Sequence, residues 1–169
     1  MFALCFVKDP GKQGIHEKAA AKYIESLNGI TKFKTLPKDA EDSKYVIRGE
    51  VRNRREINGV GIETKSIDFE WEYRSYMVYA SHKYTNEAGG AQDNQFNGIK
   101  NFVENAKYRN KQNVVFMALM DGDFYQIPYN HYKTKIEYIN SEIPKVSNLI
   151  ACTSEEIIEK LNKYITDNV

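Results

Sequence analysis

Cysteine is scarce in this chain: 169 residues hold only Cys5 and Cys152, with no metal-ligand spacing between them. A chain of this size does not need a disulfide scaffold, so a reducing compartment, the cytoplasm, is the expectation. An excess of either charge is also missing, since 24 Lys and Arg face 23 Asp and Glu for a net charge of +1. That balance argues against a general polyanion binder, whose domain is usually strongly basic, but leaves room for a local basic patch. Arg48, Arg52, Arg54 and Arg55 form one such group, and Lys107, Arg109 and Lys111 a second. Each reads equally well as a solvated surface. No apolar stretch approaches the roughly 20 residues that a membrane span requires. The opening MFALCFVKDPGKQG has no basic leader before its short apolar run, so no signal peptide is expected. Internal repeats and low-complexity linkers are absent too.

What is present suits one soluble globular domain, 1–169, with a sizeable core: 41% of residues are hydrophobic and 28% charged. Residues 2–7 read as a short buried strand ended by a turn at Asp9-Pro10-Gly11. HEKAAAKYIESL (16–27) places Ala20, Tyr23, Ile24 and Leu27 on one helical face. A polar loop follows. KYVIRGEV (44–51) reads as a first strand, and Asn58-Gly59 as a hairpin turn. In VGIETKSIDFEWEY (60–73), Ile67, Phe69, Trp71 and Tyr73 alternate with Asp68, Glu70 and Glu72, which is a strand with one apolar and one acidic face. YMVYASHKYT (76–85) is a third strand, joined to the second by a two-residue hairpin at Arg74-Ser75.

Residues 90–110 carry Phe96, Ile99, Phe102 and Val103 at helical spacing. NVVFMALMDGDFYQI (113–127) opens as a strand buried on both faces and turns at Asp121-Gly122 into a further short strand. Thr153 and Glu156 form a capping box that opens a last helix. A helical crossover into an apolar strand implies parallel pairing. The expected class is α/β: a mixed central sheet, with an antiparallel three-strand meander and a helical crossover to a parallel fourth strand, flanked by helices.

The hairpin register puts Asp68 opposite Ser81, Ser66 opposite Lys83 and Glu70 opposite Tyr79. Cross-strand neighbours share a face, so Asp68, Glu70, Ser81 and Lys83 stand together, while Phe69–Ala80 and Trp71–Val78 face the core. The next helix begins with Gln92 and Asp93. Carboxylates suit a hard divalent cation. Such a cation polarises a phosphate and generates hydroxide from water, and a lysine counters the charge of the transition state. This set therefore suits metal-assisted phosphodiester hydrolysis.

The order helix, three strands, helix, strand resembles the PD-(D/E)XK nuclease superfamily, which includes many type II restriction endonucleases. The resemblance covers residues 44–127 and rests on order and spacing. Asp68 matches the acid of the second strand, Lys83 the motif lysine, and GGAQDNQFNGIKNFVENA the following helix. It implies a restriction-endonuclease-like fold and a Mg2+-dependent endonuclease acting on double-stranded DNA to leave 5′-phosphate ends. It also implies a homodimer, or a heterodimer with a DNA-recognition subunit.

Ser81 departs from the pattern, because it stands where the motif acid belongs. Some restriction enzymes share this S-X-K form and recruit the acid from the following helix. On that reading Asp68 binds metal, Asp93 or Glu70 completes the shell, Lys83 positions the attacking water and Gln92 assists. Glu17 or Glu25 on the first helix is a further source of an acid. A second register takes Glu63-Thr64-Lys65 as the motif, with Glu50 as the upstream acid. The alternative from another class is a non-catalytic DNA- or protein-binding module on a degenerate nuclease fold. The remaining polar residues have plain readings: Glu72 is the wet face of a strand, His82 a satisfied core histidine, Tyr84 a core residue, and Asp121 with Asp123 turn formers.

Overall fold

Trp71 and Phe69 are fully buried, and the acids beside them point to the opposite face of the same strand; one central hairpin therefore serves two layers. The structure is a computed structural model and describes residues 10–57, 66–86, 90–108 and 112–168. In chain order its elements are α1 (Pro10–Ser26), β1 (Ile30–Thr35), β2 (Lys44–Ile47), β3 (Glu50–Asn53), the single turn α2 (Arg54–Ile57), β4 (Phe69–Tyr73) and β5 (Tyr76–Tyr84). Then come α3 (Gly90–Ala106), β6 (Val114–Asp121), a 3-10 turn (Asp123–Gln126), α4 (Lys135–Ser141), β7 (Leu149–Cys152), a second 3-10 turn (Ser154–Glu156) and α5 (Ile157–Asp167).

Among the described residues the main sheet has five strands in the order β1-β4-β5-β6-β7. β1, β4 and β5 pair antiparallel, and β5, β6 and β7 pair parallel, with α3 as the crossover from β5 to β6. The result is a mixed α/β sheet flanked by helices. The β4–β5 register is the one that the alternation implies, with Phe69 opposite Ala80, Glu70 opposite Tyr79 and Trp71 opposite Val78. Arg74 takes the left-handed conformation (φ 53°) in the two-residue hairpin. β6 is apolar on both sides because it has a core on each. Val115, Met117 and Leu119 meet Ala20 and Ile24 of α1 and Ile157, Leu161 and Ile165 of α5. Phe116, Ala118 and Met120 meet Phe96, Ile99 and Phe102 of α3 and Ile139 of α4.

Several sequence expectations change. KYVIRGEV is not one strand of the main sheet. It folds back at Arg48-Gly49 (φ 48° and 76°), where two positive φ values make a tight hairpin, and β2 and β3 form a separate two-stranded sheet. The strand beside β4 is instead β1, inside what reads as loop. Its period of two is broken by a bulge between Thr31 and Lys34, with Lys32 at φ 53°, so Ile30 and Phe33 stand three apart and still pack on the same core. Ser66 bridges to Tyr45 of β2, and the β4–β5 pairs end at Phe69–Ala80, short of the expected Ser66–Lys83 pair. After Asp121-Gly122 comes a 3-10 turn in place of a strand, and β7 supplies the last strand. Pro10 and Gly11 belong to the first turns of α1 and not to a loop; Pro is tolerated there because the N–H it lacks has no helical partner. The expected strand 2–7, the Asn58-Gly59 turn, residues 60–65 and Cys5 lie outside the described residues.

Gly122 closes the C-terminal end of β6 with φ 100°, and a Cβ there would overlap the Thr85 carbonyl. Gly122→Ala should therefore cost about 1–3 kcal/mol from backbone strain alone, before the overlap is counted. Urea unfolding of the two proteins measures this; equal midpoints would contradict the placement.

Candidate active site

Asp68 precedes β4 by one residue and is held there by the backbone on both sides. Its N–H donates to the Ala80 carbonyl at 2.9 Å, and its carbonyl accepts from the Leu36 N–H at 2.9 Å. Its side chain is only 2% exposed. A carboxylate so deeply buried needs compensation, and four groups provide it. Oδ2 accepts from the His82 backbone N–H at 2.8 Å and has the Ser81 hydroxyl and Lys83 Nζ each at 3.4 Å. Oδ1 has Lys38 Nζ at 3.4 Å.

Lys83 stands where the hairpin register predicts, on the face of Ser81. Its ammonium also donates to the His82 carbonyl at 2.9 Å, which curls it back over the strand end. Lys38 reaches in from the loop after β1, and the Leu36–Asp68 backbone bond sets that loop beside the carboxylate. Its second partner is Glu17 of α1. Glu17 lies one turn before Ala20 and two before Ile24, on the stripe that α1 buries, so the helix aims it at the sheet end. His16 stacks on Tyr84 with ring centroids 3.8 Å apart, which fastens α1 to the end of β5. Burial alone would lower the Lys38 pKa, but the Asp68 and Glu17 carboxylates outweigh it and hold the ammonium above its ordinary value. The outcome is an alternating row: Glu17, Lys38, Asp68, Lys83.

The other sequence candidates are placed differently. Glu70 is buried on the same face, yet Lys44 and Lys34 (3.4 Å) take its carboxylate. Asp93 is exposed in the first turn of α3, and its charge acts on Lys135. Gln92 is half-buried in the same turn. Glu25 is exposed, and Glu63 and Lys65 fall outside the described residues. Glu50 pairs with Arg52 at 2.8 Å. The arginine-rich segment is largely paired to acids: besides Arg52, Arg54 has Asp39 at 3.7 Å and Arg55 has Glu41. In the second basic group Lys107 pairs with Glu104 at 2.7 Å; Arg109 and Lys111 lie outside the described residues.

Sequence reasoning missed Lys38 and the role of Asp121. Lys38 sits in an irregular loop with no periodic signal. Asp121 reads as a turn residue but is the hub of a buried network: it accepts from His82 Nε2 at 2.9 Å and from the Ser154 N–H (2.8 Å) and hydroxyl (2.6 Å). His82 is thus a satisfied core histidine, and Tyr84 is half-exposed, not core. Burial pushes the Asp121 carboxyl upward, but the hydrogen bonds from His82 and Ser154 more than offset this and leave its pKa below the ordinary carboxylate value. Cys152 is fully buried, and that burial pushes its thiol far up.

Magnesium is the cation that the nuclease resemblance implies, and the donor set fits it. Two carboxylates from separate elements converge on a single cationic group, and Mg2+ needs only one or two protein carboxylates because water and substrate phosphate fill its other positions. Among the described residues no group of three or more His, Cys, Asp or Glu side chains is placed to hold a metal ion, so Asp68 and Glu17 are the two carboxylates on offer. No helix among them is long and apolar enough to cross a membrane. No protein-family model, curated protein or solved structure matches this chain.

A group whose folded pKa is depressed stabilises above its unfolded pKa and loses that contribution as pH falls through the folded value. Asp121→Asn should therefore be less stable than the parent by about 1–3 kcal/mol at pH 7. The gap should narrow as the pH falls from about 4, the ordinary Asp pKa, toward 2. Urea titrations at pH 7 and pH 3 check this; a gap independent of pH would refute the role given to Asp121.

Proposed function

We propose that this chain is a Mg2+-dependent endodeoxyribonuclease of the restriction-endonuclease type, either a complete enzyme or a cleavage subunit, acting on double-stranded DNA. The observation that carries the reading is the pairing of buried Asp68 with Lys83 across the end of the β4–β5 hairpin, Nζ to Oδ2 at 3.4 Å. The sheet order supports it, since an antiparallel triple followed by a helical crossover to a parallel strand is the order of the resembling nucleases.

Asp68 and Glu17 would hold the cation, Glu17 taking the part first sought in Asp93 or Glu70. When bound, magnesium supplies a polarised phosphate and a water made more acidic. Lys83 would donate a hydrogen bond to the attacking water and counter the charge that grows on the phosphate. The water oxygen would bond to phosphorus as its proton passes to solvent, the P–O3′ bond would break, and the 3′ oxygen would take a proton from solvent and leave as an alcohol. Gln92, in the first turn of α3, would assist at the phosphate. A palindromic target would call for a two-fold dimer, because symmetric DNA is matched by symmetric protein.

A second reading rests on Ser81. It is fully buried where the resembling enzymes carry an acid, and two lysines already neutralise Asp68. Such a site would suit a DNA-binding module that no longer cuts.

Supercoiled plasmid and linear phage DNA incubated with the protein and Mg2+ should be cut. Lys83→Ala and Asp68→Asn should each slow cleavage on the order of 100-fold or more. Cleavage that survives both substitutions overturns the site. DNA retained but uncut by the parent protein favours the binding module.

A further inference from the structure

Two carboxylates and two ammonium groups alternate in the row Glu17, Lys38, Asp68, Lys83, so the row is neutral as it stands. A divalent cation added to it would leave two uncompensated positive charges. A phosphodiester arriving with one negative charge removes only half of that excess. Neutrality returns only if one lysine withdraws.

The structure distinguishes the two lysines. Lys83 extends from a sheet strand, its side chain is 17% exposed, and its ammonium is tied to the His82 carbonyl at 2.9 Å. Lys38 extends from a loop, its side chain is 45% exposed, and its only partners among the described residues are the two carboxylates. It lies against Asp68 Oδ1, while Oδ2 is occupied by the His82 N–H, Ser81 and Lys83. The Oδ1 face toward Glu17 is therefore where a hard cation has two carboxylates to bridge, and Lys38 Nζ fills that place.

We propose that Lys38 is a resident counter-cation: its ammonium occupies the divalent-metal position between Glu17 and Asp68 and must swing out before the metal binds. The inference rests on the nuclease reading and adds a control to it. Lys38 keeps the buried Asp68 and the partly exposed Glu17 compensated in the resting protein. It also makes metal loading competitive, so binding is weak until substrate phosphate adds its charge. A released lysine has solvent beside it and a long flexible stem to reach it.

The test is Mn2+ binding without DNA, read by the electron paramagnetic resonance of free Mn2+ and by calorimetry, on the full chain. Lys38→Met keeps the aliphatic stem and removes the charge; it should bind Mn2+ at least about 10-fold more tightly than the parent. The gain should vanish in Lys38→Met combined with Asp68→Asn, and Lys38→Arg should stay as weak as the parent. Thermal melts on the same samples show that each variant is folded. If Lys38→Met binds no better than a parent whose binding is lost in Asp68→Asn, the counter-cation proposal falls and the nuclease reading stands. Equal gains in Lys38→Met and Lys38→Arg would also overturn it. If no variant binds Mn2+, the counter-cation proposal falls, and the nuclease reading is decided by the cleavage assay alone.

Discussion

The Asp68 carboxylate is the interaction on which the rest of the site depends. Placing an ionised carboxylate at 2% exposure is costly unless every lone pair meets a donor or a charge. The backbone N–H of His82 and the ammonium of Lys83, both at the end of β5, and the ammonium of Lys38 from the loop after β1 meet that demand. Satisfying one carboxylate thus draws the loop after β1 and the end of β5 to one point, and Lys38 draws in α1 through Glu17.

β5 carries two networks on its two faces. Ser81 and Lys83 turn toward Asp68. His82, between them, turns to the other face and binds Asp121 at the end of β6, which in turn binds Ser154 ahead of α5. The strand end is therefore clamped from both sides. The parallel β5–β6 pair sets the Asp121 position, because Tyr84 is in register with Asp121 and places His82 within reach of its carboxylate. The capping box of Thr153 and Glu156 fixes the start of the turn that presents Ser154. In this way the rigid core of β6 and α5 is coupled through His82 to the residue that holds Asp68.

The lysine-rich surroundings give the site a particular electrostatic character. Lys34 and Lys44 compensate Glu70, and Lys38 and Lys83 compensate Asp68. On the α3 side, Lys135 is buried with Nζ 4.2 Å from the centroid of the Phe124 ring; burial lowers its pKa against the opposing charge of Asp93. Lys34, Lys44, Lys38 and Lys83 are thus each matched by Glu70, Asp68 or Glu17, and the site is nearly balanced in charge like the chain as a whole.

Alternation and apolar runs by themselves determined much of this protein. The β4–β5 hairpin and its register, the Asp68, Ser81 and Lys83 face, the doubly buried β6, the crossover helix α3 and the capped last helix are all written in local periodicity. Local periodicity is reliable there because those strands have uninterrupted cores on one or both faces. Tertiary structure alone decided the rest. β1 is hidden by a bulge that puts Ile30 and Phe33 out of step, and KYVIRGEV divides at a hairpin that Arg48-Gly49 does not advertise. The partners of Asp68 and Glu70 were settled by charge compensation across distant segments, 30 residues apart for Lys38 and 26 for Lys44. No local pattern encodes such pairings, because they arise only when burial of a carboxylate selects the nearest ammonium that the folded chain can offer.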